Sequence, residues 1–296
     1  MSAVNLAQLI EDTDWLVSPP TVVEHINTLL KHEQVHWNEI ARIVEREPAV
    51  AARILRVVNS PLYGLKVPVT SIPQALVYMG TLAVTSITTA VSIFSQLLAE
   101  SQPEAVPYLE RFWWHSTCTA FVARALAEQL ERSLADQVFT AALLHDVGKL
   151  LMIQLALPQY RELEQQILSG VPQQEAERAI MGMTHEEAGH LLAQRWKLPE
   201  PLPSVIRFHS APQMLQRFQT QAAVTRIADL LCEVWGAGIG EGISKVVLAE
   251  EPSWKLLAEK FPELEQIDLA AFTLNLEQRF REAATMLHAM LDTSAG

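Results

Sequence analysis

Six residues could do chemistry together: His115, His145, Asp146, His185, His209 and Asp229. Imidazole nitrogens and carboxylate oxygens suit a divalent ion such as Mn, Fe, Mg or Zn, and a helical bundle can present them inward from several helices. The sharpest feature is the adjacent pair His145-Asp146 within LLHDVGKLL, residues 143–151. These two polar residues close the apolar run Ala141-Ala142-Leu143-Leu144 and are followed by Gly148 and Lys149. The glycine permits a tight turn and a close backbone approach. The Lys149 ammonium could be offered to a phosphate. The same pair could instead cap a helix end and lock two lobes together. Taken alone, a histidine beside aromatic residues, as His115 in FWWHS, is more often a half-buried hydrogen-bonding residue than a ligand. Asp229 has the stronger individual claim. A carboxylate among Ile227, Leu230 and Leu231 is costly to bury unless it is paired, ligated or turned to solvent.

The elements that must position these groups are helices. Val22, Val23, Ile26, Leu29 and Leu30 form one helical stripe after Pro19-Pro20. EPAVAARILRVVNSP repeats the pattern through Val50, Ile54, Leu55 and Val58 and stops at Asn59-Ser60-Pro61. Asn59, Ser60 and Tyr63 could line a partner surface, but a plain helix stop accounts better for the stretch. Ser71-Ile72-Pro73-Gln74 reads as a capping box opening a helix that breaks near Gly80, and Thr184-His185-Glu186-Glu187 as a second box opening EEAGHLLAQRW. Further helices are predicted over roughly 112–130, 135–145, 203–209, 222–234 and 267–291. Pro199, Pro201 and Pro203 make an extended connector. Gly236, Gly238, Gly240 and Gly242 mark a loop. With no period-two strand, the fold class is all-α. A boundary near Ser101-Gln102-Pro103 separates an N-terminal helical lobe (1–102) from a second lobe (103–236), with a C-terminal helical extension (237–296). No 20–50-residue repeat points to a solenoid.

Composition narrows the function classes. The chain has 296 residues, 49% hydrophobic and 19% charged, enough for a substantial core and inconsistent with disorder. A net charge of −12 with no lysine- and arginine-rich block argues against nucleic-acid binding. The two cysteines, Cys118 and Cys232, read as buried free thiols of a reducing compartment. The start, MSAVNLAQLIEDTDW, lacks the basic and long apolar regions of a signal peptide. The apolar stretch 82–98 is interrupted by Ser and Thr, too polar and short for a membrane span. The expectation is a cytoplasmic chain without membrane or nucleic-acid partners.

Taken together, the motifs resemble a known family. His145-Asp146 with Gly148-Lys149, His115 upstream and Asp229 downstream look like the H…HD…D signature of the HD superfamily of metal-dependent phosphohydrolases. The resemblance is closest to its HDOD branch. It is carried by ILRVVNSPLYG (54–64), SIPQALVYMG (71–80), ALLHDVGKLLM (142–152), THEEAGHLLAQRWKLP (184–199) and IRFHSAP (206–212), in that order, and covers about residues 15 to 235. It implies an N-terminal helical lobe packed on an HD-like helical lobe. It also implies a metal set of His115, His145, Asp146 and Asp229, with His185 and His209 where extra ligands could sit. In HD enzymes such a set holds one or two ions that activate water against a phosphate ester. HDOD proteins resemble regulatory modules acting through protein contacts, generally without demonstrated catalysis. Two departures weigh against hydrolysis of a cyclic dinucleotide: Ser210 follows His209 where many relatives have paired histidines, and no GYP motif follows Thr184-His185-Glu186.

Three functions follow from these readings. The first, and preferred, is a non-catalytic signal-transduction module that contacts other signalling proteins, with its polar cluster tightly closed. The second is a metal-dependent phosphohydrolase acting on a nucleotide or related phosphate ester. In it Asp146 and Lys149 would be catalytic, and an open cleft is required. The third is a scaffold with at most a structural metal. The C-terminal stripe Leu269, Phe272, Leu276, Phe280, Ala283, Leu287 and Leu291 could be a homodimer seam, but packing on its own chain is the better reading. No glycine-rich phosphate cradle accompanies these motifs.

Overall fold

The computed structural model describes residues 3–16, 19–29, 37–59, 65, 67–99 and 101–291. The N-terminal half contains α1 (Leu6–Asp12), α2 (Thr21–Leu29), α3 (Trp37–Glu45), α4 (Pro48–Val58) and α5 (Ile72–Ala99). The second half contains α6 (Val106–Leu130), α7 (Ala135–Leu144), α8 (Val147–Leu155), α9 (Leu157–Leu168), α10 (Gln173–Met181), α11 (His185–Arg195), α12 (Leu202–Phe208), α13 (Gln219–Cys232), α14 (Pro252–Lys260) and α15 (Leu269–Leu291). Among the described residues there is no strand. The all-α class follows.

The helix signals at Pro19-Pro20, Asn59 and Gly80 act as the chemistry predicts. Val22, Val23 and Ile26 of α2 are buried. Leu30 and residues 60–64, which include Ser60, Pro61 and Tyr63, lie outside the described residues. Asn59 caps α4 and ties it to the chain ahead: its Nδ2 donates to the carbonyls of Leu55 and Val69, and its Oδ1 accepts from Val69 N–H at 2.7 Å. That supports the structural reading of Asn59. The Ser71 box forms differently from the expected one. Ser71 Oγ accepts from Gln74 N–H, but Gln74 Oε1 reaches the Thr70 N–H. α5 breaks at Gly80, where φ is 80°.

α4 and α5 pair closely, and α5 also packs against α7 of the second half. At the junction Phe94 of α5 stacks on Trp113 of α6 with ring centroids 4.5 Å apart, and the Arg53 guanidinium lies 5.7 Å from both rings. The first residues of the chain bind the second half: Val4 N–H donates to the Ile180 carbonyl, Arg195 to that of Ile10, and the Trp196 indole to that of Leu16. The C-terminal stripe is engaged within its own chain. Leu276 and Phe280 are buried, Phe280 against Trp235 and Phe272 against Trp254. The side chains of Ala283, Leu287 and Leu291 lie outside the described residues. Among the described residues one apolar helical stretch, Arg132–Leu155, is long enough to cross a membrane, and 89% of its most apolar window is buried inside the protein.

Candidate metal centre

The centre is built where helices end and meet. α6 carries His115 in its buried middle, and α13 brings Asp229 from its buried face. His145 caps the C-terminus of α7 and Asp146 the N-terminus of α8. His185 is the first residue of α11, fixed there by the capping box: Thr184 Oγ1 accepts from Glu187 N–H, and Glu187 returns the bond to Thr184 N–H. His209 follows the last turn of α12.

Gly148 does not make the expected turn. It lies inside α8, which begins immediately after Asp146. The close approach is real, however. A Cβ at Gly148 would stand 1.8 Å from the His185 carbonyl oxygen, and one at Gly189 would stand 3.1 Å from Gly148 N. Two glycines thus let α8 and α11 cross with their backbones in contact, which brings Asp146 beside His185.

All six predicted residues converge, none more than 3% exposed. They divide between the two oxygens of Asp146. On one side, His115 Nε2 and His145 Nε2 are 3.4 Å apart and lie 3.7 and 3.4 Å from Asp146 Oδ2. Asp229 Oδ1 completes this group at 3.3 Å from His115 and 3.7 Å from His145. On the other side, Asp146 Oδ1 lies 3.3 Å from His185 Nε2 and 3.7 Å from His209 Nε2, which are 3.5 Å apart.

These groups fit metal ions on three counts. Ligands about 2.0–2.3 Å from one ion are about 2.8–3.8 Å from each other at right-angle to tetrahedral positions, which brackets every separation above. Next, each imidazole is anchored by its Nδ1, leaving Nε2 for the centre. His115 pairs with the Ala237 carbonyl (2.9 Å), His145 with that of Ala142 (2.7 Å), His209 with that of Ile206 (3.2 Å), and His185 with the Glu177 carboxylate (2.7 Å). Outer partners of this kind orient metal-binding histidines. Last, Asp146 Oδ1 and Asp229 Oδ1 are buried and accept no hydrogen bond. Two orphaned carboxylate oxygens in a core are costly, and a cation removes that cost.

The charges are strongly coupled. Burial alone would lower the pKa of His145 and His185, but Asp146 raises His145 to about 10 and Glu177 raises His185 to about 9. Burial likewise opposes the charge on His115, where Asp229 outweighs it and the pKa rises. His209 is pushed well below the usual range by burial and by the neighbouring His145. Burial would raise Asp146 and Asp229; the surrounding cations instead hold both carboxyls well below the carboxylate range. Lys149 donates to Asp146 Oδ2 at 2.7 Å, and Arg226 donates to Asp229 Oδ2 at 2.8 Å.

Sequence reasoning did not single out Glu177, Arg226 or Glu241. Glu177 has a readable signal, since it shares the buried face of α10 with Ala176 and Ile180. Arg226 stands one turn before Asp229, a spacing that places both on one helix face. Glu241 offers only its position among glycines.

The model of the HDOD domain matches residues 16–212, more than half of the chain. The chain belongs to the HDOD family. An uncharacterized protein of Treponema pallidum (strain Nichols) is 25% identical over 210 residues, which is 70% of this chain and 39% of that one. The chain therefore spans well under half the length of this relative. Among solved structures, an HDOD domain protein of unknown function from Geobacter sulfurreducens superposes with a TM-score of 0.75 at 23% identity, covering 94% of this chain and 96% of its own. A candidate phosphohydrolase from Shewanella amazonensis SB2B gives 0.67 at 21% identity, with 95% and 97% covered. At these identities the two structures share the HDOD fold with this chain.

Proposed function

We propose that this HDOD chain is a regulatory module that holds two divalent ions across Asp146 and acts through contacts with other signalling proteins. His115, His145, Asp146 and Asp229 would hold one ion, and Asp146, His185 and His209 the other. The observation that supports a regulatory role is closure. The ligands are buried, and the cavity beside Lys149, walled by Ile239, Gly240 and Glu241, measures about 10 Å³. That cavity has room for about one water, and none of the six ligands lines it. A cytoplasmic location belongs to the same reading, supported by the two buried free thiols, Cys118 and Cys232.

A second reading, a metal-dependent phosphohydrolase acting on a nucleotide or related phosphate ester, is favoured by the completeness of the donor set. Bound ions would supply a water ionised near neutral pH and polarise a phosphoryl oxygen. Of the chain's own residues, Asp146 would bridge both sites and Lys149 would meet phosphate charge at their edge. Metal analysis of protein purified without chelator, beside a phosphatase screen with added Mn, separates the two. The regulatory reading expects bound metal and no turnover. Turnover that disappears together with the metal in Asp146→Ala would overturn it.

A further inference from the structure

The loop after α13 does more than connect. Its Ala237 carbonyl holds His115, and four residues later Glu241 turns into the protein with its side chain only 4% exposed. The Glu241 carboxylate pairs through Oε1 with Lys149 Nζ, and its Oε2 lies 3.7 Å from Arg226 Nη1. Lys149 and Arg226 are the same two cations that grip the metal-site carboxylates Asp146 and Asp229. Glu241 therefore occupies a place faced by a buried ammonium and a guanidinium at the edge of the centre. An external oxyanion, a phosphate group among them, would satisfy the same two donors in place of that carboxylate.

Withdrawal of the segment that carries this carboxylate would break no helix or strand, although it would free Ile239, which is buried and donates its N–H to Glu233 Oε1 at 2.7 Å. Residues 238–247 form no helix or strand, and Glu241 is flanked by Gly240 and Gly242 at φ 94° and 74°. Both are in the left-handed region, which glycine enters and leaves at little cost. Ile239, Gly240 and Glu241 also wall the small cavity that reaches Lys149. Withdrawal of this one segment would uncover the two cations and the side of the centre they guard.

We propose that Glu241 is an internal competitor: its carboxylate fills an anion seat made by Lys149 and Arg226, and a phosphate group binds there only when the glycine-flanked loop withdraws it. The inference rests on the second reading of this cluster, a metal centre that faces phosphate, yet the seat itself consists of side chains and can be tested without metal. It also unites closure with a complete ligand set, since the same residues are open to phosphate in one loop position and sealed in the other. A ligand's apparent affinity falls by the fraction of molecules in the competent state, so a loop closed nine-tenths of the time or more masks about tenfold or more.

The test is calorimetric titration of inorganic phosphate into wild-type protein, Glu241→Gln and Glu241→Ala, each metal-free and Mn-loaded, with metal content measured on the same samples. Both variants are expected to bind phosphate at least about tenfold more tightly than wild type in each form, and the gain is expected to vanish in Glu241→Ala/Lys149→Ala. Equal affinity in wild type and folded variants would overturn the proposal. A tenfold gain in protein that takes up no metal would uphold the competitor while removing the metal-centre reading. Should both variants unfold, amide exchange of residues 239–243 in wild type decides: faster exchange as phosphate saturates supports the competitor, and no change overturns it.

Discussion

Replacing Gly148 by alanine puts a methyl carbon 1.8 Å from the His185 carbonyl oxygen and 2.7 Å from Gly189 N. Both obstacles are backbone, so no side chain can swing aside. Carbon–oxygen contacts between packed backbones settle near 3.3 Å, so α8 and α11 must separate by about 1.5 Å at this crossing. Asp146 precedes α8 and His185 begins α11, and their facing atoms are now 3.3 Å apart. A widening of that size takes the His185 and His209 group out of shared reach with Asp146 Oδ1. The group of His115, His145, Asp146 Oδ2 and Asp229 does not span this crossing. Gly148→Ala is therefore expected to lose the His185/His209 ion first, and to cost about 3 kcal/mol from overpacking. For a chain of this size that lowers Tm by about 5 °C. Metal counting by mass spectrometry and a thermal melt read both effects. A Gly148→Ala protein with wild-type Tm and an undiminished metal count would refute the close-crossing argument.

Removal of single ligands should divide the same way: Asp229→Ala is expected to lose the His115/His145 ion and His209→Ala the other, read as one ion per chain instead of two. Glu177→Gln removes the carboxylate that orients His185, and affinity for the second ion should fall about 10- to 100-fold in a competition titration with a chelating dye. Affinity should also depend on pH. With no ion bound, His145 at about 10 and His185 at about 9 carry protons at neutral pH, and a metal must displace them. Binding therefore weakens as pH falls and strengthens as it rises toward 9, with proton release visible as a buffer-dependent heat; binding independent of pH between 6 and 9 would contradict these shifts.

Much of this centre was legible because its residues are out of place locally. An imidazole and a carboxylate ending an apolar helix, or Asp229 among leucines, advertise a burial cost that something must offset. The capping box at Thr184 was equally readable, since its partners lie three residues apart. What sequence could not display was pairing across distance. Gly148 carries the same letter whether it turns a chain or lets two helices touch, and only the position of His185 separates the cases. Glu241 resembles any surface acid until Lys149 and Arg226 are placed around it. The division of ligands between Oδ1 and Oδ2 of one aspartate is likewise a product of assembly, because His185 and His209 reach Asp146 only through the packing of α8, α11 and α12.

Six side chains forming two ion sites that share Asp146 must show themselves in bound metal. The most direct test is the metal content of protein purified without chelator and then dialysed against Mn, for wild type and Asp146→Ala in parallel. Two ions per wild-type chain are expected, with both lost from the variant. A folded wild-type protein that retains no divalent ion, or an Asp146→Ala protein that keeps two, would contradict it.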